Sequence, residues 1–167
     1  MRKKRVVYPG SFDPITNGHL DIVCRACEIF DTVIVAVTRN ATKSPLFTLQ
    51  ERLSMLNLVL APLVKNGKVR VDSFDGLLAD YCREKGAQAV ARGLRAVSDF
   101  EYEFQMALMN RHLSPELETV FLMADEKYTY LSSSLLKDVM RLGGDGSRFV
   151  PSPLLETLKK KLRPSTP

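Results

Sequence analysis

The sequence predicts an α/β fold in which helices cover both faces of a doubly wound (Rossmann-like), five-stranded parallel sheet. Short β-branched or apolar runs alternate along the chain with segments whose apolar residues recur at helical spacing. The run at residues 33–37 contains no polar residue, which is typical of a parallel strand buried on both faces. The 167 residues suit one full-sized core, so we expect a single domain over residues 1–167.

The first half of the chain contains three of the predicted strands. Strands are expected at residues 5–8, 33–38 and 69–71, and helices at 18–30, 48–60 and from about 77. Thr16 or Asn17 would cap the first helix, because both side chains accept hydrogen bonds from free backbone N–H groups. Thr48 and Glu51 form a capping box for the second helix, and Pro62 is expected to end its pattern.

The second half continues the same alternation. Strands are expected at residues 87–91 and 119–123, a loop at 92–97, helices at 98–112 and 132–142, and a last helix at about 153–162 before a loose tail at 163–167. Gly86 suits the C-terminal cap of the third helix. Ser98 and Glu101 form another capping box, and the glycines that begin at Gly143 end the following helix.

Polar clusters follow the predicted strands. They are residues 10–19, Lys43, residues 92–95 and residues 128–134. Because ligands of such sheets bind outside the carboxyl ends of the strands, these clusters should converge at one edge. His19, Lys43, Arg92, Arg95 and two helix N-termini are all donors to anions. No residue stands out as a covalent nucleophile, so the site suits transfer between phosphates by positioning and charge stabilisation.

The segment from Tyr8 to His19 carries the most specific motif. It reads Tyr-Pro-Gly-Ser-Phe-Asp-Pro-Ile-Thr-Asn-Gly-His and resembles the [H/T]-x-G-H signature of nucleotidyltransferases. Its threonine-led form looks most like that of the phosphopantetheine adenylyltransferases, and the resemblance covers roughly residues 5–142. It implies transfer of the adenylyl group of ATP to 4′-phosphopantetheine, which gives dephospho-CoA and pyrophosphate by direct in-line attack without a covalent intermediate.

The same resemblance implies a role for each matching residue. His19, Lys43 and Arg92 would be catalytic, with His19 stabilising the transition state at the α-phosphate. ATP contacts are implied for Ser11, Phe12, His19, Gly93, Leu94, Arg95, Glu103, Tyr128, Thr129, Tyr130, Leu131, Ser132, Ser133 and Ser134. Phosphopantetheine contacts are implied for Ser11, Lys43, Leu78 and Arg92. Mg²⁺ is expected to bind through the ATP phosphates, with no metal held by protein side chains.

These residues also have plainer interpretations. Lys43 alone would be an ordinary exposed loop lysine, and the serine run could be no more than a helix cap. Arg92 and Arg95 could pair with Asp99 or Glu103 at the surface, although isolated surface pairs contribute only about 0–1 kcal/mol.

The composition is ordinary for a soluble globular protein, with 45% hydrophobic and 26% charged residues. No apolar run is long enough to cross a bilayer, and no apolar region follows the basic residues 2–5 as in a signal peptide. We therefore expect a cytoplasmic protein without a membrane partner. The net charge of +5 fits a phosphorylated small substrate. Aromatic residues do not interleave with the basic runs, so no nucleic-acid partner is expected.

Three alternatives stay open. Another nucleotidyltransferase would act on nicotinamide mononucleotide or an alcohol phosphate, although the Arg-Gly-Leu-Arg run at residues 92–95 argues against this. A nonenzymatic nucleotide- or RNA-binding protein would use its basic ends. A redox protein would use Cys24 and Cys27, but both fall on an apolar helical face with Leu20 and Val23, so we expect small core residues.

The helix at residues 98–112 carries two apolar stripes. The first is Phe100, Phe104, Ala107 and Leu108, and the second is Tyr102, Met106, Met109 and Leu113. Two stripes need more burial than one sheet face supplies, so the second is predicted to meet another subunit. The family resemblance implies a homohexamer.

Overall fold

The computed structural model describes residues 4–39, 45–95 and 97–162. Within them the strands are β1 (Arg5–Gly10), β2 (Thr32–Thr38), β3 (Val69–Phe74), β4 (Ala89–Leu94) and β5 (Glu118–Met123). The helices are α1 (Asn17–Ile29), α2 (Leu49–Val59), α3 (Ala61–Lys65), α4 (Leu78–Lys85), α5 (Val97–Leu113), α6 (Ser133–Arg141) and α7 (Leu155–Leu162). Short 3₁₀ turns lie at Glu126–Tyr128 and Ser152–Leu154.

All strand pairs are parallel, and the order across the sheet is β3-β2-β1-β4-β5. The chain therefore moves outward from β1 to β3, then crosses to β4 on the other side of β1. This reversal is the topological switch point, and it lies at the carboxyl ends of β1 and β4. The predicted five-stranded, doubly wound parallel sheet is confirmed.

Alternate strand residues enter two different cores. One core contains Val6, Val33, Val35, Val37 and Ala91 of the sheet, with α1, α2, α6 and α7 packed on it. The other contains Val7, Ile34, Ala36 and Val90, covered by α4. Because side chains of a strand point alternately to the two faces, the apolar runs without polar interruptions follow from burial on both sides.

Most predicted caps are confirmed. Thr16 caps α1, Thr48 and Glu51 form their capping box on α2, and Gly86 ends α4 with a φ of 63°. The box assigned to Ser98 and Glu101 involves the Ser98 side chain, which lies outside the described part of the structure. Helix α5 begins at Val97, one residue earlier than expected.

One predicted boundary is wrong and another is confirmed. Strand β4 continues through Arg92 and Gly93 to Leu94, which the sequence analysis assigned to a loop. Pairing with β5 extends the strand, since Arg92 lies opposite Phe121 and Leu94 opposite Met123. The predicted end of the second helix before Pro62 is confirmed, since α2 ends at Val59 with Leu60 as its C-cap. The short helix α3 was not predicted, and Pro62 lies in its first turn, where a missing N–H costs no hydrogen bond.

The two cysteines of α1 differ in burial. Cys27 is buried as predicted, but Cys24 is exposed, so its prediction as a core residue is wrong. The buried face of α1 is Ile22, Val23, Ala26 and Cys27, which is rotated from the face assigned by spacing. Burial raises the pKa of the Cys27 thiol, and partial desolvation by its surroundings, together with the charges of Asp21 and Glu28, raises that of the Cys24 thiol. A redox role for this pair is therefore disfavoured, because the thiolate is the reactive form.

The helices of the described ranges include none that is both long and apolar enough to traverse a lipid bilayer.

Candidate active site

A cavity of about 540 Å³ opens at the carboxyl ends of β1 and β4. Eleven residues that the sequence analysis assigned to the site line it: Ser11, His19, Arg92, Gly93, Arg95, Glu103, Tyr128, Leu131, Ser132, Ser133 and Ser134. They come from β1, β4, α5, the N-termini of α1 and α6, and the segment after β5. The predicted convergence of polar clusters at one sheet edge therefore holds for these residues.

The imidazole of His19 is held in one orientation by the first turn of α1. Its Nδ1 accepts a hydrogen bond from the backbone N–H of Thr16 at 3.1 Å, while the backbone N–H of His19 donates to Thr16 Oγ1 at 3.3 Å. The ring also packs edge-on against Phe12, with 5.2 Å between centroids. Since Nδ1 is an acceptor, the neutral ring carries its proton on Nε2.

The charge state of His19 follows from its surroundings. Burial, together with the positive charges of Arg95 and Arg92, lowers the pKa of His19 to about 4. At neutral pH the side chain is therefore an uncharged N–H donor. A neutral donor at a helix N-terminus can stabilise charge that develops on a phosphate oxygen without exchanging a proton.

Arg92 and Arg95 are each held by a carboxylate of α5. Arg92 pairs with Glu103 through two hydrogen bonds, one of them from Nε at 2.7 Å, and also donates to the Pro9 carbonyl at 2.9 Å. Arg95 pairs with Asp99 at 2.9 and 3.0 Å. The expectation that Arg92 and Arg95 pair with Glu103 and Asp99 is thus confirmed. Because both arginines line the cavity, these pairs orient cations at its wall.

The serine run forms the N-terminus of α6. Ser132 is the N-cap and accepts a hydrogen bond from the Leu135 N–H at 3.0 Å. Ser133 donates to the Pro14 carbonyl at 2.8 Å and ties α6 to the β1–α1 turn. Ser134 completes the run in the cavity wall. Hydroxyl groups and free N–H groups at a helix N-terminus form a suitable cradle for phosphate.

A second, more apolar cavity of about 460 Å³ adjoins the first. Its lining includes Phe74, Leu77, Leu78, Val90, Met106 and Met109. Ser11, Arg92 and Glu103 line both cavities, so the two meet at these residues. The arrangement offers one polar, cationic compartment and one apolar compartment with a charged boundary between them.

The comparison with known proteins agrees with this geometry. A profile of the cytidylyltransferase-like family matches residues 7–139. A phosphopantetheine adenylyltransferase of Alkaliphilus metalliredigens (strain QYMF) is 58% identical over 155 residues, which covers 93% of this chain and 97% of that protein. A protein of the same name from Desulforudis audaxviator (strain MP104C) is 56% identical over 158 residues, or 95% of each chain. The chain belongs to the cytidylyltransferase-like family.

The fold is shared more widely among nucleotidyltransferases. Plasmodium falciparum nicotinic acid mononucleotide adenylyltransferase complexed with NaAD superposes with a TM-score of 0.69 over 95% of this chain and 96% of that chain. Its sequence identity is 14%, so this likeness concerns the fold alone. The similarity to the two named relatives confirms the resemblance to phosphopantetheine adenylyltransferases, and this cytidylyltransferase-like chain is a nucleotidyltransferase.

Some residues assigned by resemblance do not line the first cavity. They are Phe12, Leu94, Thr129 and Tyr130, whereas Leu78 lines the second cavity. Phe12 is 1% exposed and its ring packs against His19, so it offers almost no surface to a ligand. Tyr130 is 61% exposed and packs on Phe149 instead. Lys43 lies outside the described residues.

Two charged residues at the β1–α1 turn, Asp13 and Lys137, were not predicted from the sequence. Asp13 accepts hydrogen bonds from the backbone N–H groups of Leu46 and Phe47 at 2.9 and 2.8 Å, and it forms an ion pair with Lys137. Asp13 lies within the family motif, but an aspartate between an aromatic residue and a proline is typical of an ordinary turn. Lys137 has no local signal, since its partner is 124 residues away.

Metal binding by side chains has no support in the parts of the chain that the structure describes. They contain no cluster of three or more histidine, cysteine, aspartate or glutamate residues arranged to hold an ion.

Proposed function

We propose that this cytidylyltransferase-like enzyme transfers the adenylyl group of ATP to 4′-phosphopantetheine, giving dephospho-CoA and pyrophosphate in coenzyme A biosynthesis. The observation that carries the proposal is the junction of the two cavities at Ser11, Arg92 and Glu103. A reaction between two phosphate groups needs two neighbouring substrates and a cationic boundary between them. The names of relatives at 56% and 58% identity support the same activity.

In this proposal ATP occupies the polar cavity. His19 donates from Nε2 to an oxygen of the α-phosphate, where negative charge grows as the attacking phosphate approaches. Arg95 and the serines at the N-terminus of α6 bind the remaining phosphates of ATP. Glu103, which also lines this cavity, contacts ATP. The phosphate of phosphopantetheine attacks directly, and pyrophosphate leaves with the bonding electrons. No side chain forms a covalent intermediate.

Phosphopantetheine occupies the apolar cavity. Arg92 stands at the boundary and holds its phosphate, while Leu78 contacts the pantetheine arm. Lys43 is assigned to the same reacting phosphate by family resemblance. Ser11 lines both cavities and contacts both substrates. Mg²⁺ enters with ATP and is held through phosphates and water, the binding mode that this ion prefers.

The direct test is incubation with ATP, Mg²⁺ and 4′-phosphopantetheine, followed by mass detection of dephospho-CoA. Nicotinamide mononucleotide and glycerol 3-phosphate serve as competing acceptors in parallel reactions, with pyrophosphate release as the common signal. Turnover with phosphopantetheine and with neither competing acceptor supports the proposal. Faster pyrophosphate release with either competing acceptor would replace it with another activity of the same superfamily. RNA binding without ATP turnover would favour the nonenzymatic alternative.

The pH dependence of turnover provides a second prediction. Because the pKa of His19 is lowered to about 4, its ring stays neutral at every pH above about 5. We expect no histidine titration in the profile of kcat/KM for ATP between pH 5.5 and 8. Initial rates across this range measure the profile, after correction for the ionisation of free ATP and of free phosphopantetheine. A limb with an apparent pKa near 6.5 that disappears in His19→Gln would contradict it.

We also propose that the enzyme is a cytoplasmic homohexamer. The first stripe on α5 supports an assembly, since Phe100, Phe104 and Leu108 are 44%, 46% and 50% exposed in the single chain and line neither cavity. The second stripe, which was predicted to meet another subunit, lines the apolar cavity. Large apolar side chains that remain exposed along one helix mark a protein interface. Light scattering at micromolar concentration is expected to give six times the chain mass. A monomeric mass would refute the assembly while leaving the reaction untouched.

A further inference from the structure

Arg52 of α2 is a buried cation without an ionic partner among the described residues. Its side chain is 3% exposed, and none of their carboxylates forms a salt bridge with it. Nη1 donates one hydrogen bond, to the Ser11 carbonyl at 2.8 Å, while the buried Nε finds no acceptor. Buried charges are usually paired, because removing an ion from water is costly. The stability of the fold alone gives a poor reason for this arrangement.

The group that Arg52 holds lies at the junction of the two cavities. Ser11 lines both of them, and its carbonyl belongs to the peptide bond that leads into Phe12. Phe12 has a φ of 45°, a left-handed conformation that is strained for a residue with a side chain. Because a peptide bond is planar, holding the Ser11 oxygen fixes the backbone plane on the Ser11 side of this strained turn.

The neighbouring charges in the turn are already compensated. Asp13 is neutralised by Lys137, so it does not balance Arg52. Arg92, which lines both cavities together with Ser11, is paired with Glu103. The positive charge of Arg52, which donates to the Ser11 carbonyl, is therefore not balanced by either of these carboxylates. A phosphate group bound at the junction would meet an already oriented serine backed by a buried cation.

We propose that Arg52 is a positioning residue for phosphoryl-group binding at the junction, acting through the Ser11 carbonyl to fix the Ser11 hydroxyl between the two substrates. This inference rests on the proposed function. Arg52 touches neither substrate, and its effect is transmitted through one hydrogen bond. Misplacing a positioning group by about 1 Å can cost about 10²-fold in rate.

The test is a double-mutant cycle with Ser11→Ala, Arg52→Met and the double variant. We expect each single variant to lower kcat by about 10- to 10²-fold. We also expect the kcat of the double variant to equal that of Arg52→Met alone, because removing a hydroxyl that is already misplaced should lower the rate little further. Effects that multiply in the double variant would show independent roles and overturn the proposal, as would an unchanged kcat in Arg52→Met.

Two controls separate positioning from loss of structure. Arg141→Met makes the same substitution at an exposed α6 residue outside both cavities and should leave kcat unchanged. Where Arg52→Met does not fold, Arg52→Lys keeps the buried charge but loses the guanidinium fork, and the same non-additivity with Ser11→Ala is required. The wild-type rate with phosphopantetheine tests the proposed function separately, since only ratios between variants test Arg52.

Discussion

Replacing His19 by alanine is expected to lower kcat by about 10²- to 10³-fold while the Kd for ATP changes by only a few-fold. The reason is that a neutral Nε2–H donor gains most when charge develops on the α-phosphate, which occurs in the transition state. The ring adds no positive charge to the ground state, because its pKa is lowered to about 4. Initial rates of dephospho-CoA formation and calorimetric titration with ATP measure the two quantities.

The substitution also removes a helix-capping contact, so its stability must be checked. Nδ1 of His19 accepts the Thr16 N–H, and that contact is lost in His19→Ala. His19→Gln offers a carboxamide donor on a side chain of similar reach and should recover part of kcat. His112→Ala changes an exposed histidine in the last turn of α5 and should behave as wild type. Complete loss of ATP binding by folded His19→Ala would instead assign the imidazole a ground-state role.

The convergence of the site was predictable because it depends on topology. Strand signals placed His19, Arg92 and the serine run after β1, β4 and β5, and parallel strands align their carboxyl ends. From the sequence, Arg92 could either bind a substrate phosphate or pair with a carboxylate, and nothing in the sequence decided between the two. The structure shows the pair with Glu103 and also places Arg92 in the cavity wall, because Glu103 lies on the helix that follows β4 and lines the same cavity. The catalytic role of Arg92 stays a prediction.

The charged groups at the β1–α1 turn could not be predicted in the same way. Arg52 directly follows Glu51 on α2, and Lys137 precedes Asp138 on α6. Both lysine and arginine normally point to solvent at such positions. Their burial depends on contacts 41 and 124 residues away, and a local pattern carries no information about either partner. Cys24 shows the same limit, since spacing alone did not fix the rotation of α1.

Asp13→Ala is expected to destabilise the fold by about 3–5 kcal/mol, the usual cost of removing one partner of a buried ion pair. The Asp13 side chain is 6% exposed and that of Lys137 is 15% exposed, so solvent screens the pair weakly. The substitution leaves the ammonium group unpaired and also deprives the Leu46 and Phe47 N–H groups of their acceptor. Urea unfolding at pH 7 measures the free energy change.

The pH dependence of that cost distinguishes a charged pair from simple packing. Burial alone would raise the pKa of Asp13, but Lys137 and the two backbone donors outweigh it and hold the pKa below its usual value. The unfolded carboxyl titrates near about 3.9, so the stabilisation is complete above that pH and is lost as the pH falls through the lower folded value. The difference between wild type and Asp13→Ala should therefore be constant above about pH 5 and shrink in more acidic solution.

Two further variants test whether the cost of Asp13→Ala comes from the unpaired Lys137 charge. Asp138→Ala removes a carboxylate of α6 that pairs with Arg141 at the surface and is 67% exposed, so its effect should stay below about 1 kcal/mol. Asp13→Ala combined with Lys137→Met removes both buried charges and should be more stable than Asp13→Ala alone, because no unpaired ion remains. An equal or greater loss in the double variant would mean that packing and the backbone acceptors, rather than the buried ammonium, set the cost.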